Sequence, residues 1–377
     1  MPQARKEPPL PAAWSLLPDE WRQACVELGA PAFRAKQIWH GLHERLAASW
    51  DEIRILPADL RRALAERFDV AALTAAEVSE TADGVRKFLC TCRDGEQVES
   101  VLIPSEGRWT LCVSSQAGCA YACAFCASGQ AGLARNLVAG EIVGQAILAS
   151  RWLRGQGAGE PPPADAPTPQ KGAPPLLRPG NIVVMGMGEP LANYDEVLHA
   201  LRILNAPEGL TIGARHITIS TCGLVPGIRR LAEEGVQFEL SVSLHAPNDA
   251  IRTRLMPVNQ RWPLQELLAT CLDYTEKTNR IVTFEYTLVR GLNDQPEHAR
   301  ELASRLSGWK CRVNLIPLSP VAEFDGEAPD ERTCEAFQRE LERSRIHTTL
   351  RRSRGRQQDA ACGQLRLRRR EGKVIGQ

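Results

Sequence analysis

From residue 181 onward short apolar runs alternate with helical ones, and this rhythm restricts the fold more than any other feature of the chain. Strand-type runs stand at 181–185, 216–220, 238–243, 281–289 and 312–316. Stretches with apolar residues at helical spacing lie between them, at 194–204, 226–234 and 263–275. Strands that alternate with helices pair in parallel through right-handed crossovers, so the expected class is α/β with a parallel sheet. Ligands of such sheets gather at the carboxyl ends of the strands. Three turns at those ends carry chemistry: Gly186-Met187-Gly188-Glu189-Pro190, Ser220-Thr221-Cys222-Gly223 and Ser243-Leu244-His245. Gly188 lets a backbone come close to a ligand, and Glu189 can accept from an ammonium or a hydroxyl. A single GxGE turn is weak support by itself, and a lone histidine such as His245 is more often structural.

Upstream of that sheet, residues 111–136 read LCVSSQAGCAYACAFCASGQAGLARN. Cys119, Cys123 and Cys126 stand there as C-x3-C-x2-C. Three thiolates on one short loop can face one metal centre. A structural zinc or an ordinary cubane takes four protein ligands. Three thiolates on a four-iron cluster leave one iron open to a small molecule. The bland readings are three inert buried thiols, or a zinc site completed elsewhere in the chain. The twelve cysteines are too sparse for a disulfide scaffold in 377 residues. In a reducing compartment they read as ligands, reactive thiols or core.

The length leaves room for one large α/β domain and a smaller one, and 43% apolar residues support an ordinary core. A net charge of +1 does not announce a nucleic-acid binder, so any such surface is local. No segment approaches twenty uncharged apolar residues, and the N-terminus has no signal-type run, so a cytoplasmic protein with no membrane contact is expected. Residues 14–70 have a helical pattern, with Ile38, Leu42 and Leu46 on one face. They suggest an N-terminal helical accessory domain, 1–83, that binds RNA or serves as a packing module. Residues 84–103 alternate around Asp94-Gly95, a hairpin signature that opens the main domain, 84–350. Within it, 155–180 holds 8 prolines and 5 glycines in 26 positions. The α/β rhythm resumes at once, so this is a flexible surface insertion and not a boundary. The final segment is basic. Residues 351–373 hold nine Arg or Lys against Asp359 and Glu371, a charge of +7. Such a run is commonly a solvated face.

The motifs VESVLIP, LCVSSQAGCAYACAFC, GMGEP, ISTCG, SVSLHAP and DAACGQL together resemble the radical S-adenosylmethionine (SAM) RNA adenine-C2 methyltransferases, dual-specificity enzymes of 23S rRNA and tRNA. The likeness runs over roughly residues 20–366. It implies an open (β/α)6 partial TIM-type barrel behind a small helical domain. It also implies a [4Fe-4S] cluster on Cys119, Cys123 and Cys126, with SAM chelating the open iron. SAM contacts would fall on Gly188, Glu189, Ser220, Ser243, Leu244 and His245. By the same resemblance Cys362 carries a methyl group taken from a first SAM, and Cys112 resolves the RNA adduct by forming a disulfide with it. Glu99 matches the family's proton acceptor, and which of Glu99 and Cys112 takes the C2 proton stays open. The implied partners are 23S rRNA, tRNA and an electron donor such as flavodoxin or ferredoxin, with the enzyme a monomer. Two departures stand out: Ser319 occupies the position of a family asparagine, and the 155–180 insertion is unusual. The alternatives are the related adenine-C8 methyltransferase, which Pro190 disfavours, and a non-catalytic iron–sulfur or zinc RNA-binding protein.

Overall fold

The structure is a computed structural model. It describes residues 10–351 apart from 82, 106–107, 131, 156–176 and 322–323. The centre of the insertion, Cys362 and the basic segment beyond Arg351 therefore lie outside the described residues. Three helices come first: α1 (Pro18–Glu27), α2 (Arg34–Trp39) and α3 (Ala58–Arg67). Four antiparallel strands follow: β1 (Leu73–Glu80), β2 (Arg86–Cys92), β3 (Gln97–Ser105) and β4 (Arg108–Cys112). A two-stranded ribbon of β5 (Gln116–Gly118) and β6 (Leu133–Asn136) encloses the short helix α4 (Ala127–Gln130) and leads to α5 (Ala139–Leu153). The rest is strand and helix in turn: β7 (Asn181–Val184), α6 (Tyr194–Asn205), β8 (Ile217–Thr221), α7 (Val225–Glu233), β9 (Glu239–Ser243), α8 (Asp249–Leu255), α9 (Leu264–Thr278), β10 (Val282–Leu288), α10 (Pro296–Leu306), β11 (Cys311–Pro317), α11 (Glu331–Arg343) and β12 (His347–Leu350).

One sheet runs β1-β2-β3-β4-β7-β8-β9-β10-β11-β12. From β4 to β12 every neighbouring pair is parallel. This is the expected α/β class, an open partial barrel; β4 and β12 end the parallel part without pairing to each other among the described residues. β12 is a short strand beyond the six-fold repeat. The expected hairpin is β2–β3, turning at Asp94-Gly95, where Gly95 has φ +87°. Five strands were not anticipated: β1, within the N-terminal unit 1–83 that read as helical, β4, β5, β6 and β12.

The helices bury the apolar faces that the rhythm demands. Val197, Leu201 and Leu204 of α6 fall at helical spacing and are all buried. Side chains stop the connecting loops from fraying: Asn248 Oδ1 accepts from Ile251 N (3.1 Å) to start α8, and Asp330 Oδ1 from Thr333 N (2.7 Å) to start α11. The N-terminal helices lean on the outside of the barrel. Trp39 Nε1 donates to Pro207 O (3.0 Å), and Arg151 of α5 donates to Leu46 O (3.1 Å). Trp14, Trp21 and Trp39 join one apolar cluster with Leu240 and Phe284 of the sheet. No helix among the described residues is long and apolar enough to cross a membrane.

Candidate active site

The three cysteines lie on the loop between β5 and α4, over the carboxyl ends of the parallel strands. Backbone conformation shapes that loop. Gly118 has φ +96°, and a Cβ there would stand 1.9 Å from Gly132 O, so only glycine fits. Cys119 N donates to Gly132 O (3.0 Å) and Cys126 N to Cys123 O (3.0 Å). Ala124 N donates to Leu255 O (2.9 Å), which ties the loop to α8. The Phe125 ring meets His245 edge-on, with centroids 4.6 Å apart. This contact seats the loop on the end of β9.

All three thiols are half-buried. Burial pushes Cys119 up to about 11, and the neighbouring Cys126 and Glu189 charges add to the rise. Cys123 is raised further by burial, then by Cys126, Cys119 and Glu189, with Arg252 opposing. The three thiols thus share one electrostatic neighbourhood short of positive charge. A cationic metal centre would reverse that balance and take them as thiolates. Among the described residues no group of three or more His, Cys, Asp or Glu side chains is placed to hold a metal ion. The loop instead offers three soft donors of the type an iron–sulfur cluster takes.

The turn after β7 presses directly on the entry to this loop. Gly188 has φ +105°, and a Cβ there would stand 2.6 Å from Gln116 Cβ and 2.7 Å from Ser115 Oγ. Glu189 N donates to Gln116 Oε1 (2.8 Å), and Gln116 Nε2 to Asn136 Oδ1 (2.7 Å). Glu189 is buried and bridges two strand ends: Oε1 accepts from Leu191 N (2.9 Å) and Oε2 from Cys222 N (2.6 Å). Burial raises its pKa against the pull of these bonds. The Cys222 and Thr221 side chains also hydrogen-bond this carboxylate. Gly188→Ala is expected to destabilise the protein by about 1–3 kcal/mol through its backbone alone, and by more where Gln116 must move. The drop in urea midpoint at constant slope measures it.

Ser220 and Ser243 sit half-buried at the ends of β8 and β9, and Leu244 is fully buried. His245 adopts φ +56°. Its Nδ1 accepts from Thr287 N (2.9 Å), so the ring proton resides on Nε2. Burial holds its pKa down to about 3, with Arg252 adding to the effect, so the ring is neutral.

Two neighbours of this site escaped the sequence reading. Arg252 of α8 is completely buried. Its Nη2 donates to Cys222 O (2.8 Å) and Ser243 O (3.2 Å), its Nε to Leu244 O (3.2 Å), and its Nη1 to Asn259 Oδ1 (2.8 Å). One side chain thereby fastens the ends of β8 and β9. Cys222 is the second. Burial, then the Glu189 and Cys123 charges, hold its thiol well above the ordinary range. It stands as a fourth thiol beside the cysteine loop.

Glu99 and Cys112 come together through strand register. Val101 of β3 pairs with Cys112 of β4, and Glu99 lies two residues before Val101. Opposite residues of an antiparallel pair share a face, as do alternate residues of one strand, so Glu99 and Cys112 share a face. Both are buried. The next pair, Leu102 and Leu111, points the other way into the apolar core. Ser114 Oγ donates to Glu99 O (2.5 Å) and Ser114 N to Gln145 Oε1 (2.8 Å), which fixes the chain as it leaves β4. Ser319 follows β11 and is half-buried. Cys362 is outside the described residues.

Comparison with known proteins agrees with this arrangement. The Radical SAM superfamily model matches residues 172–303. A probable dual-specificity RNA methyltransferase RlmN of Symbiobacterium thermophilum is 46% identical over 352 residues, covering 93% of this chain and 90% of the relative. The protein of the same name from Geobacillus kaustophilus is 42% identical over 365 residues, covering 97% and 95%. The crystal structure of a radical SAM methyltransferase from Sphaerobacter thermophilus superposes with a TM-score of 0.85 at 43% identity, covering 94% of this chain and 99% of that one. Identity of this degree over nearly the whole length of both partners, on the same fold, means that the chain belongs to the RlmN family of radical-SAM RNA methyltransferases.

Proposed function

We propose that the protein methylates C2 of adenine in 23S rRNA and tRNA through a methylated Cys362, using two SAM molecules per turnover. The observation that supports this most is the shared face of Glu99 and Cys112 at the end of the first parallel strand. C2 lies between two electron-withdrawing ring nitrogens and is a poor nucleophile toward a methyl cation, so polar transfer is slow. Cys119, Cys123 and Cys126 would hold a [4Fe-4S] cluster, which together with SAM would supply the one-electron chemistry. The chain supplies the rest. The carbon carried on the Cys362 sulfur bonds to C2, Glu99 or Cys112 takes the C2 proton, and the Cys112 sulfur then attacks the Cys362 sulfur. The carbon–sulfur bond breaks with its electron pair on the carbon, which takes a proton to become the methyl group; the odd electron of the addition would return to the cluster, the methylated base leaves, and the two cysteines remain as a disulfide.

Gly188, Glu189, Ser220, Ser243, Leu244 and His245 hold SAM in this reading. The basic segment 351–373 and the N-terminal unit 1–83 draw RNA over the barrel mouth through phosphate contacts. The target base leaves its stack to reach the thioether, at least cost for an unpaired nucleotide. A cytoplasmic monomer served by flavodoxin or ferredoxin completes the proposal. Mass spectrometry of RNA nucleosides from cells with and without the protein tests it. 2-Methyladenosine should vanish with the protein and return with it. 8-Methyladenosine would indicate the C8 reaction instead, and no change in either would indicate a binding protein without this activity.

A further inference from the structure

The face that carries Glu99 and Cys112 also carries a lysine to which the mechanism above gives no task. Lys87 of β2 pairs with Val101, and Val101 pairs with Cys112. Lys87, Val101 and Cys112 therefore form one row across three strands, with Glu99 on the same side. Lys87 is 6% exposed, and its Nζ has no hydrogen-bond partner among the described residues. A buried ammonium without an acceptor is strongly destabilising. The other cations nearby are spoken for or face elsewhere. Arg86, the next residue, points to the opposite face, pairs with Glu80 and lies over the Trp152 ring. Arg108 is exposed at the far end of β4.

We infer that Lys87 is a further catalytic residue whose ammonium donates a hydrogen bond to a ring nitrogen flanking C2 of the target adenine. This rests on the C2 reading. Chemistry at C2 by groups on this face turns the N1–C2–N3 edge of the base toward it. Both nitrogens carry a lone pair in the ring plane, and neither has a proton to donate. Among the described residues, Lys87 is a buried donor on this face without a hydrogen-bond partner. Neighbouring strands lie about 4.8 Å apart, so the Lys87 and Cys112 backbones are separated by about 10 Å. A purine laid over β3 bridges that gap. A cationic donor on N1 or N3 withdraws electron density from C2, which favours bond formation with an electron-rich carbon radical at that position. It also fixes the edge of the base that reacts. No atom passes along this bond: the proton stays on Nζ, and the C2 proton leaves to Glu99 or Cys112.

The test is a binding cycle on the full-length holoenzyme. Stem–loop RNAs carry adenosine, 1-deazaadenosine or 3-deazaadenosine at one unpaired target position, and the proteins are wild type, Lys87→Met and Lys87→Arg. Lys87→Met should weaken binding of the adenosine RNA about ten-fold, as loss of a charged hydrogen bond does. With one of the two deaza RNAs, wild type and Lys87→Met should bind alike, because the acceptor is already gone. Methylation of Cys362 precedes contact with the base and should proceed at the wild-type rate in Lys87→Met. Lys87→Arg should keep most of the affinity. Equal weakening of all three RNAs would make Lys87 a phosphate contact and overturn the inference. So would wild-type protein that binds the three RNAs equally, a result that needs no variant. Absence of 2-methyladenosine from wild-type reactions would refute the C2 reading itself, whereas normal methylation without the coupling would refute only the role of Lys87.

Discussion

Cys112→Ala is expected to stop with enzyme and RNA covalently joined, whereas Cys362→Ala never becomes joined. The difference follows from the separate tasks of the two sulfurs. In the proposed reaction Cys362 holds the carbon that bonds to the base, so its loss removes the attachment point. Cys112 closes β4 on the face of Glu99, and in the proposed reaction it acts only after attachment. Without it the thioether has no attacking thiolate, since exchange needs direct approach of one sulfur to another. The product disulfide requires the two Cα atoms to come within about 4.4–6.8 Å. Cys112 is held by parallel pairing to Val183 and antiparallel pairing to Val101. The measurement is a denaturing gel of each variant after reaction, followed by nuclease digestion and mass spectrometry of the Cys362 peptide. A nucleotide-sized adduct on that peptide should accumulate in Cys112→Ala to near stoichiometry and be undetectable in Cys362→Ala. Full turnover by Cys112→Ala without added thiol would remove Cys112 from its role.

How legible the chain was depended on where each partner sits. The strands β7 to β11 were readable because each is a short β-branched or apolar run with a helix on either side. β4 and β12 were not. RWTLC and HTTL mix polar and apolar residues over five and four positions, which is too short for a period to declare itself. β1 was hidden because LTAAEVSE is rich in alanine and glutamate, and pairing with β2 overrides its helical preference. At the site, the glycine turns and the cysteine spacing are local and stood out. Glu189 was read as a ligand acceptor, and the structure adds its bridge between the Leu191 and Cys222 amides. Arg252 was illegible because the acceptors it joins are mostly carbonyls from two distant strands. An arginine in a short amphipathic helix otherwise reads as exposed. Lys87 was illegible for a similar reason: only the register of three strands places it on the same face as Cys112.

Four thiols crowd one end of the barrel, and they should not be equivalent. Cys119, Cys123 and Cys126 lie on one loop, while Cys222 comes from the turn after β8 and feels the charges of Cys123 and Cys119. A structural zinc would take all four in a closed tetrahedron. A cluster that chelates SAM must keep one iron free of protein, so it takes only the loop cysteines. Single replacement by alanine separates the two cases. In anaerobically purified protein, wild type and Cys222→Ala should each carry about four iron and four sulfide per chain and cleave SAM on reduction. Each of Cys119→Ala, Cys123→Ala and Cys126→Ala should lose reductive SAM cleavage entirely. Arg252 sharpens the comparison, because it binds the Cys222 carbonyl and not the thiol. Removing the Cys222 sulfur therefore leaves the link between the ends of β8 and β9 in place. Stoichiometric zinc without labile sulfide, lost equally from all four variants, would replace the radical site with a closed zinc centre held by the four cysteines.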